Sequence, residues 1–185
     1  MSKNIVVLSG SPRKGGNTDT LAAAFIEGAQ TAGKNVTLFR VADMKIGGCL
    51  GCEGCEQKGV VCVQKDSMLE IFDALQNADA LVLASPVYYF SVSAQLKLAI
   101  DRIYALRRIC KNNGVKIPIK KAALLMPCAD ETIDTASGAI EMLKHMCAYY
   151  KWENGGAIIA TGLHKPGDID GRAELEEARE LGRSI

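Results

Sequence analysis

The sequence predicts an α/β protein built on one doubly wound sheet of five parallel strands. Five short apolar runs alternate with segments in which apolar residues recur at helical spacing. Strands that are separated by helices need crossover connections, which produce a parallel sheet covered by helices on both faces. The chain has 185 residues, a length that suits one hydrophobic core, so we predict a single domain over residues 1–185.

The first strand and the helix after it have the clearest signals. Residues 4–8 form a continuous apolar run that stops at Ser9-Gly10, which predicts a buried strand followed by a loop. From Asn17 onward the apolar residues recur at helical spacing, and Gly33 supplies a stop. The chain therefore begins with a strand, a loop rich in small residues and a helix.

The remaining elements continue this alternation. Residues 35–41 alternate in polarity, which predicts the second strand. A helix is predicted from about Ser67, because its hydroxyl and Glu70 have the spacing of a capping box. The later strands are predicted at residues 80–84, 121–126 and 156–161, and the later helices at 94–106, 131–150 and 173–181.

Charge and cysteine content exclude several classes of function. A formal net charge of +1 provides no general field for holding nucleic acid or an anionic membrane. The first apolar run is too short to span a membrane and has no cleavage site after it, so we expect a cytoplasmic protein. Seven cysteines, an odd number, favour thiol, metal or redox chemistry over a disulfide framework.

The loop after the first strand has the composition of a phosphate site. In such folds ligands bind at the carboxyl ends of the strands. This loop begins at the carboxyl end of the first strand and runs from Ser9 to Thr18 into a helix. Its backbone N–H groups, the helix dipole, the Ser11 hydroxyl and nearby cations such as Arg13 all favour a phosphate. The glycine pattern of dinucleotide folds and the Walker lysine are missing, so a monophosphate is predicted. The alternative is a glycine-rich connection capped by Asn17.

Two motifs in order resemble the NAD(P)H-dependent FMN reductases. Gly10-Ser11-Pro12-Arg13 with Asn17-Thr18 is similar to the phosphate loop of that family. Residues 85–90 (SPVYYF), followed by residues 93–97 and Asp101-Arg102, resemble its flavin-ring loop and the helix behind it. The resemblance covers residues 4 to about 160. It implies a flavodoxin-like strand order 2-1-3-4-5, an FMN cofactor and NAD(P)H as co-substrate.

The resemblance also implies which residues contact the cofactor. The expected FMN contacts are Ser9, Ser11, Arg13, Asn17, Thr18, Pro86, Val87, Tyr88 and Tyr89. Residues 127–130 are a candidate for the far side of the ring, although the family usually has more Gly and Ser there. No catalytic side chain is expected, because flavin itself carries hydride and one-electron chemistry. His145 and His164 are expected to be ordinary surface or core residues.

A cysteine-rich insert occupies residues 47–63, and the hypotheses about function differ in what these cysteines do. Its spacing, Cys49-x2-Cys52-x2-Cys55-x6-Cys62, lets four thiols wrap one metal centre within a glycine-rich loop. It resembles the motif of archaeal-type iron-sulfur flavoproteins, which implies a [4Fe-4S] cluster beside FMN. The alternatives are structural thiols that pack a loop near a subunit interface, and a zinc site. Cys110 and Cys147 are expected to be buried small side chains.

These observations predict an FMN-dependent oxidoreductase. Its electron donor would be NAD(P)H, or reduced ferredoxin if a cluster is present, and its acceptor a small molecule such as a quinone, an oxygen species or another flavin. One alternative is a flavodoxin-like electron carrier, although such carriers tend to be strongly acidic. Another is a zinc-binding module without flavin. The resemblance further implies a homodimer or homotetramer with flavin at the interface.

Overall fold

A computed structural model describes residues 2–57, 61–114 and 118–185. Residues 58–60 of the cysteine-rich insert and the side chain of Cys110 lie outside this description. The five strands are β1 (Asn4–Ser9), β2 (Asn35–Arg40), β3 (Ala80–Ala84), β4 (Lys121–Pro127) and β5 (Glu153–Ala160). The five α-helices are α1 (Asn17–Thr31), α2 (Met68–Leu75), α3 (Ala94–Asn113), α4 (Ser137–Tyr150) and α5 (Ala173–Ser184).

The strands form one parallel sheet in the order β2-β1-β3-β4-β5. This order is flavodoxin-like and confirms the predicted fold class. Every residue of β3 is buried, because Leu81 and Leu83 enter one core while Ala80, Val82 and Ala84 enter the other. The alternation follows from the two-residue period of a strand, and it leaves β3 at the centre of the molecule.

Helices cover both faces of the sheet. The core on one face includes apolar residues of α2, α3 and α4, and the core on the other includes those of α1 and α5. Helices α1 and α5 cross at two glycines. A Cβ added to Gly28 would lie 2.0 Å from the carbonyl oxygen of Arg179, and one added to Gly182 would lie 2.2 Å from that of Phe25. Only glycine permits backbones to approach this closely.

The predicted capping box at the start of α2 is wrong. Ser67 adopts a helical backbone conformation and its side chain makes no capping bond. Asp66, one residue earlier, accepts the Met68 N–H at its Oδ1, 3.1 Å away. A carboxylate that caps a helix start does the same work as the predicted serine, since either oxygen satisfies a free N–H.

Several element ends also differ from the prediction. Helix α3 continues beyond residue 106 to Asn113 and stops at Gly114, whose φ is +70°. The predicted helix at 131–150 has a 3-10 turn at Ile133–Ala136 before α4 begins. Strand β5 begins at Glu153, three residues earlier than predicted, because polar and glycine residues hide an edge strand. No helix in the described ranges is long and apolar enough to cross a membrane.

Candidate functional site

One open cavity of about 180 Å³ lies where β1, β3, β4 and β5 end. The loops after all four strands contribute to it, as expected at the carboxyl edge of a parallel sheet. Its lining residues are Ser11, Arg13, Gly16, Asn17, Thr18, Pro86, Val87, Tyr88, Pro127, Cys128, Ala129, Leu163, His164 and Pro166.

The loop after β1 is folded back on itself by short hydrogen bonds. The buried Ser11 hydroxyl donates to the Arg13 carbonyl at 3.2 Å and accepts the Arg13 N–H at 3.3 Å. Asp19 accepts the Gly15 N–H at 2.8 Å. Helix α1 then starts with Gly16 as its N-cap residue. The first N–H groups of a helix have no intrahelical acceptor, so this start offers free donors to an anion.

The two cations of the loop after β1, Arg13 and Lys14, differ in whether they are paired. Lys14 pairs with Asp43 at 3.4 Å, whereas the exposed Arg13 has no carboxylate partner in the described part of the chain. Arg40 supports the loop from below, where it pairs with Asp19 and donates to the Ser11 carbonyl at 3.3 Å. Arg13 is therefore the cation of this loop that is left for a ligand.

Hydrogen bonding also fixes the charge state of the supporting arginine. Burial alone would lower the pKa of Arg40, but its bonds to Asp43 and Asp19 outweigh burial and raise it. The bond to Arg40 lowers the pKa of Asp43. Arg40 therefore keeps its charge beneath the loop, beside the carboxylates of Asp19 and Asp43.

Asn17 joins the first loop to the loop after β5. Its Nδ2 donates to the Lys165 carbonyl at 2.9 Å, and its Oδ1 accepts the Gly167 N–H at 3.0 Å. Both polar ends of the side chain are engaged with protein. What Asn17 offers the cavity is therefore its backbone at the helix start, and its side chain fixes the two loops against each other.

The loop after β3 contains a tight two-residue turn. Tyr88 and Ser91 exchange backbone hydrogen bonds of 2.9 and 3.1 Å, and the residues between them, Tyr89 and Phe90, have φ values of 47° and 63°. Positive φ at both central positions defines a type I′ turn, which normally has Asn-Gly there. The turn projects Tyr89, which is 98% exposed, away from the protein.

The far wall of the cavity comes from the loops after β4 and β5. Cys128 is buried there, and burial followed by the nearby Asp130 and Glu131 raises the pKa of its thiol. Asp168 accepts the backbone N–H groups of His164 and Lys165 at 2.9 and 2.7 Å. These two bonds hold the segment that presents His164 to the cavity.

The structure brings most of the proposed cofactor contacts to this one cavity. Those that line it are Ser11, Arg13, Asn17, Thr18, Pro86, Val87 and Tyr88. Ser9 lies beneath the loop, buried, with its hydroxyl 3.4 Å from Asp19, and Tyr89 points outward. The cavity is also lined by Leu163, His164 and Pro166, which were not predicted from the sequence. The available signal was that their loop also follows the carboxyl end of a parallel strand.

The cavity fits the two ends of a flavin mononucleotide. At one end the free N–H groups of the α1 start, the hydroxyls and the unpaired Arg13 suit a phosphate. At the other end the cavity has mostly apolar walls, which are formed by Pro86, Val87, Tyr88, Pro127 and Cys128. Such walls suit a planar ring with a few polar edges. The donors at one end and the apolar residues at the other suit the same class of cofactor.

The four cysteines of the insert line a second, smaller cavity of about 30 Å³. Cys49 and Cys52 are exposed, and Cys55 and Cys62 are partly buried. Burial raises the pKa of the Cys55 thiol, and its neighbours Cys62, Glu56 and Cys49 add to the increase. The cavity has the volume of roughly one water molecule. Within the described ranges, no three Cys, His, Asp or Glu side chains are grouped so as to hold a metal ion.

The chemistry of the donor set nevertheless fits a metal–sulfur centre. Four free thiols share the cavity with the buried Arg102, a cation that would offset thiolate charge. The backbone around them includes Gly51 at φ 61° and Glu53 at φ 57°, in a glycine-rich segment with few steric restrictions. Binding would require this loop to draw the sulfur atoms together around the metal.

Comparison with known proteins supports a flavin site. A model of a family described as NADPH-dependent FMN reductase matches residues 3–160. An iron-sulfur flavoprotein of Archaeoglobus fulgidus is 42% identical over 98 residues, which is 53% of this chain and 44% of that protein. A putative NAD(P)H-dependent FMN-containing oxidoreductase of Bacillus subtilis, YwqN, is 28% identical over 184 residues, 97% of each chain. The matched segment spans roughly half the length of the iron-sulfur flavoproteins.

Solved structures share the fold. An NAD(P)H:quinone oxidoreductase from Methanothermobacter marburgensis superposes with a TM-score of 0.80 at 23% identity, covering 99% of this chain and 96% of that one. An azoreductase from Bacillus anthracis superposes with a TM-score of 0.71 at 15% identity, covering 99% and 100%. At these identities the likeness establishes the flavodoxin-like architecture.

Proposed function

Because the chain belongs to the NADPH-dependent FMN reductase family, we propose that it binds FMN in the cavity at the carboxyl ends of the strands and transfers electrons from NAD(P)H to a small acceptor. The observation that supports this most strongly is that a helix start suited to an anion and a group of mostly apolar residues line one cavity. Quinones, oxygen species and free flavins are the acceptor classes that we propose.

We assign the phosphate end to the loop after β1. Arg13 supplies the charge, the hydroxyls of Ser11 and Thr18 supply polar contacts, and the start of α1 supplies N–H donors. The Ser11 hydroxyl is already bonded within the loop, so it holds the loop in shape as well as facing the ligand. Arg40 keeps the loop in place from below.

We assign the ring end to the loops after β3 and β4. Pro86 and Val87 form one wall, and the Val87 N–H is bonded to the Pro127 carbonyl at 3.2 Å, which fixes the distance between the two loops. Tyr88 and His164 lie at the rim, where they limit access of water and supply polar groups to a bound substrate. When bound, FMN supplies the hydride and one-electron chemistry, while these residues orient it.

The FMN proposal is tested by comparing two flavins that differ only in the phosphate. Purified protein is titrated with FMN and with riboflavin, and binding is followed by flavin fluorescence. Arg13→Gln is expected to weaken FMN about tenfold, the effect of losing one charge-assisted hydrogen bond at an exposed site, and to leave riboflavin binding unchanged. Lys14→Gln is the matched control, since Lys14 pairs with Asp43. Absence of flavin binding in the wild type would overturn the proposal.

We further propose that the four cysteines bind a [4Fe-4S] cluster that accepts electrons from ferredoxin. Two observations favour it: the thiols share one cavity, and relatives named iron-sulfur flavoprotein are 42% and 37% identical over about half of this chain. Anaerobic purification followed by iron and acid-labile sulfide analysis tests it. About four iron and four sulfide per chain are expected. A Cys55→Ser variant should lose both while retaining FMN, and stoichiometric zinc would contradict the cluster.

A further inference from the structure

Arg102 is a buried cation whose Nε atom donates no hydrogen bond. It is 2% exposed, and its guanidinium nitrogens bind Asp66 at 2.9 and 3.2 Å and the Gly47 carbonyl at 2.9 Å. Its Nε has no hydrogen-bond partner and is buried. Buried polar groups are nearly always hydrogen-bonded, so a buried guanidinium nitrogen without an acceptor needs an explanation.

The surroundings of Arg102 suggest what the missing acceptor is. The side chain lines the small cavity together with Cys49, Cys52, Cys55 and Cys62. The guanidinium and the Cys62 side chain both line this cavity. Sulfur is the acceptor chemistry that this cavity offers.

The ion pair with Asp66 explains how Arg102 is held. Asp66 accepts the Gly47 and Met68 N–H groups as well as the arginine, so it is tied both to the first residue of the cysteine-rich insert and to the start of α2. These bonds lower the pKa of Asp66 despite burial. The guanidinium is thus fixed in orientation by a rigid carboxylate while the cysteine loop around it is rich in glycine.

We propose that Arg102 is a positioning residue for the iron-sulfur centre of the proposed function, with its Nε–H donating to a cysteine or cluster sulfur and its charge stabilising the reduced form. The inference rests on the second part of that proposal. Reduction adds one negative charge to the centre, and a fixed N–H donor and cation favour the added charge. Hydrogen bonds to sulfur are among the features that set the potential of such centres.

The inference is tested on the reconstituted, full-length protein by measuring the midpoint potential of the cluster with EPR-monitored titration. Arg102→Lys keeps the charge and a partner for Asp66 but removes Nε. The double variant D66N/R102Q removes both charges together, so it isolates the lost hydrogen bond from a change of net charge. Both are expected to assemble the cluster and to shift its potential downward by about 59 mV, which corresponds to a tenfold change for one electron.

Arg107→Gln is the matched control. It removes one positive charge from the same helix, at an exposed residue that lines neither the cysteine cavity nor the cavity at the strand ends. The midpoint potential of the cluster in Arg107→Gln is expected to equal that in the wild type. Far-UV circular dichroism checks that every variant is folded, and iron content checks that it is loaded.

These measurements distinguish three outcomes. A lowered potential in both Arg102 variants with an unchanged control supports the role of Arg102. Equal potentials in all loaded proteins overturn it and leave the cluster proposal intact. A wild type that binds flavin and takes up no iron or sulfide overturns the cluster and the role of Arg102 together, and leaves FMN binding, which is measured by flavin fluorescence, unaffected.

Discussion

The hydroxyl of Ser93 donates a 2.7 Å hydrogen bond to the carbonyl oxygen of Gly10, and both residues lie on loops that build the cavity. The Oγ of Ser93 also accepts the Leu96 N–H at 3.3 Å and so caps α3. A Cβ added to Gly10 would lie 2.6 Å from this hydroxyl. One buried side chain therefore sets the spacing between the loop after β1 and the start of α3.

Ser93→Ala is expected to lower the free energy of unfolding by about 1–3 kcal/mol, because it removes a helix cap and leaves a buried carbonyl without its partner. FMN affinity should fall with it, since the two loops lose their common support. Urea denaturation and fluorescence titration measure the two effects. Ser91→Ala removes a hydroxyl from the same loop, one that has no hydrogen-bond partner among the described residues. That variant should match the wild type, and an equal loss there would contradict the assignment.

The turn at Tyr89 and Phe90 is expected to store strain. Both residues have positive φ, a conformation that costs non-glycine residues about 1 kcal/mol or more each. Replacing them with Asn-Gly should therefore raise the free energy of unfolding by about 1–2 kcal/mol. Thermal and urea unfolding measure it. Tyr89→Phe keeps both the aromatic ring and the backbone conformation, so its stability should equal that of the wild type.

The stabilised variant also tests what the turn does. If Tyr89 and Phe90 are retained for contacts to a second subunit or a substrate, the Asn-Gly variant should be more stable yet reduce acceptors more slowly or dissociate. A variant that gains stability with full activity and an unchanged assembly state would show that these exposed rings have no such contact.

The close crossing of α1 and α5 predicts an unusual effect on stability when a glycine in a helix is replaced by alanine. Changing a glycine inside a helix to alanine normally adds about 1 kcal/mol of stability. Gly28→Ala should instead destabilise by about 1–3 kcal/mol, because its Cβ would lie 2.0 Å from the Arg179 carbonyl and would push α5 away. Ala23→Gly, at an exposed position of α1, measures the propensity effect alone. Stabilisation by Gly28→Ala would refute the close crossing.

Asp168 makes the folding stability of the protein depend on pH in the acid range. The His164 and Lys165 N–H groups that it accepts lower the pKa of its carboxyl below the ordinary 3.8. The unfolded chain therefore binds this proton more readily than the folded chain. The stabilising effect is complete above the ordinary pKa and is lost as pH falls through the lower, folded value.

The variant Asp168→Asn should be less stable than the wild type at pH 6, and the difference should shrink as pH falls below about 4. Urea denaturation over that range measures it. Asp170→Asn is the control, because that carboxylate accepts neither N–H group. A pH-independent difference between Asp168→Asn and the wild type would mean that charge at this position does not matter.

The sequence predicted the sheet because buried strands and amphipathic helices have local patterns. It predicted the strand order through two motifs that resemble a family. The length of α3 was missed because Arg107 and Arg108 interrupt the apolar pattern at residue 106, although the helix continues to Gly114. Charged residues are good helix formers, so a polar stretch alone does not end a helix.

The candidate site was predicted in part for a related reason. Residues of the first and third loops are recognisable from contiguous motifs, and seven of the proposed contacts line the cavity. His164 reaches the same cavity through tertiary contacts such as the bonds from Asn17 to Lys165 and Gly167. The ion pair between Asp66 and Arg102 likewise joins residues with no sequence motif in common. Such long-range pairs leave no periodic signal.

The two bonds of Asn17 have a consequence for the order of folding. They join residues about 150 positions apart, so the loop after β1 and the loop after β5 meet only after most of the chain between them has folded. The entropy of closing so large a loop must be overcome by other contacts first. The complete cavity therefore forms late in folding. We expect the cofactor to bind molecules that have already folded, and we do not expect its binding to start folding.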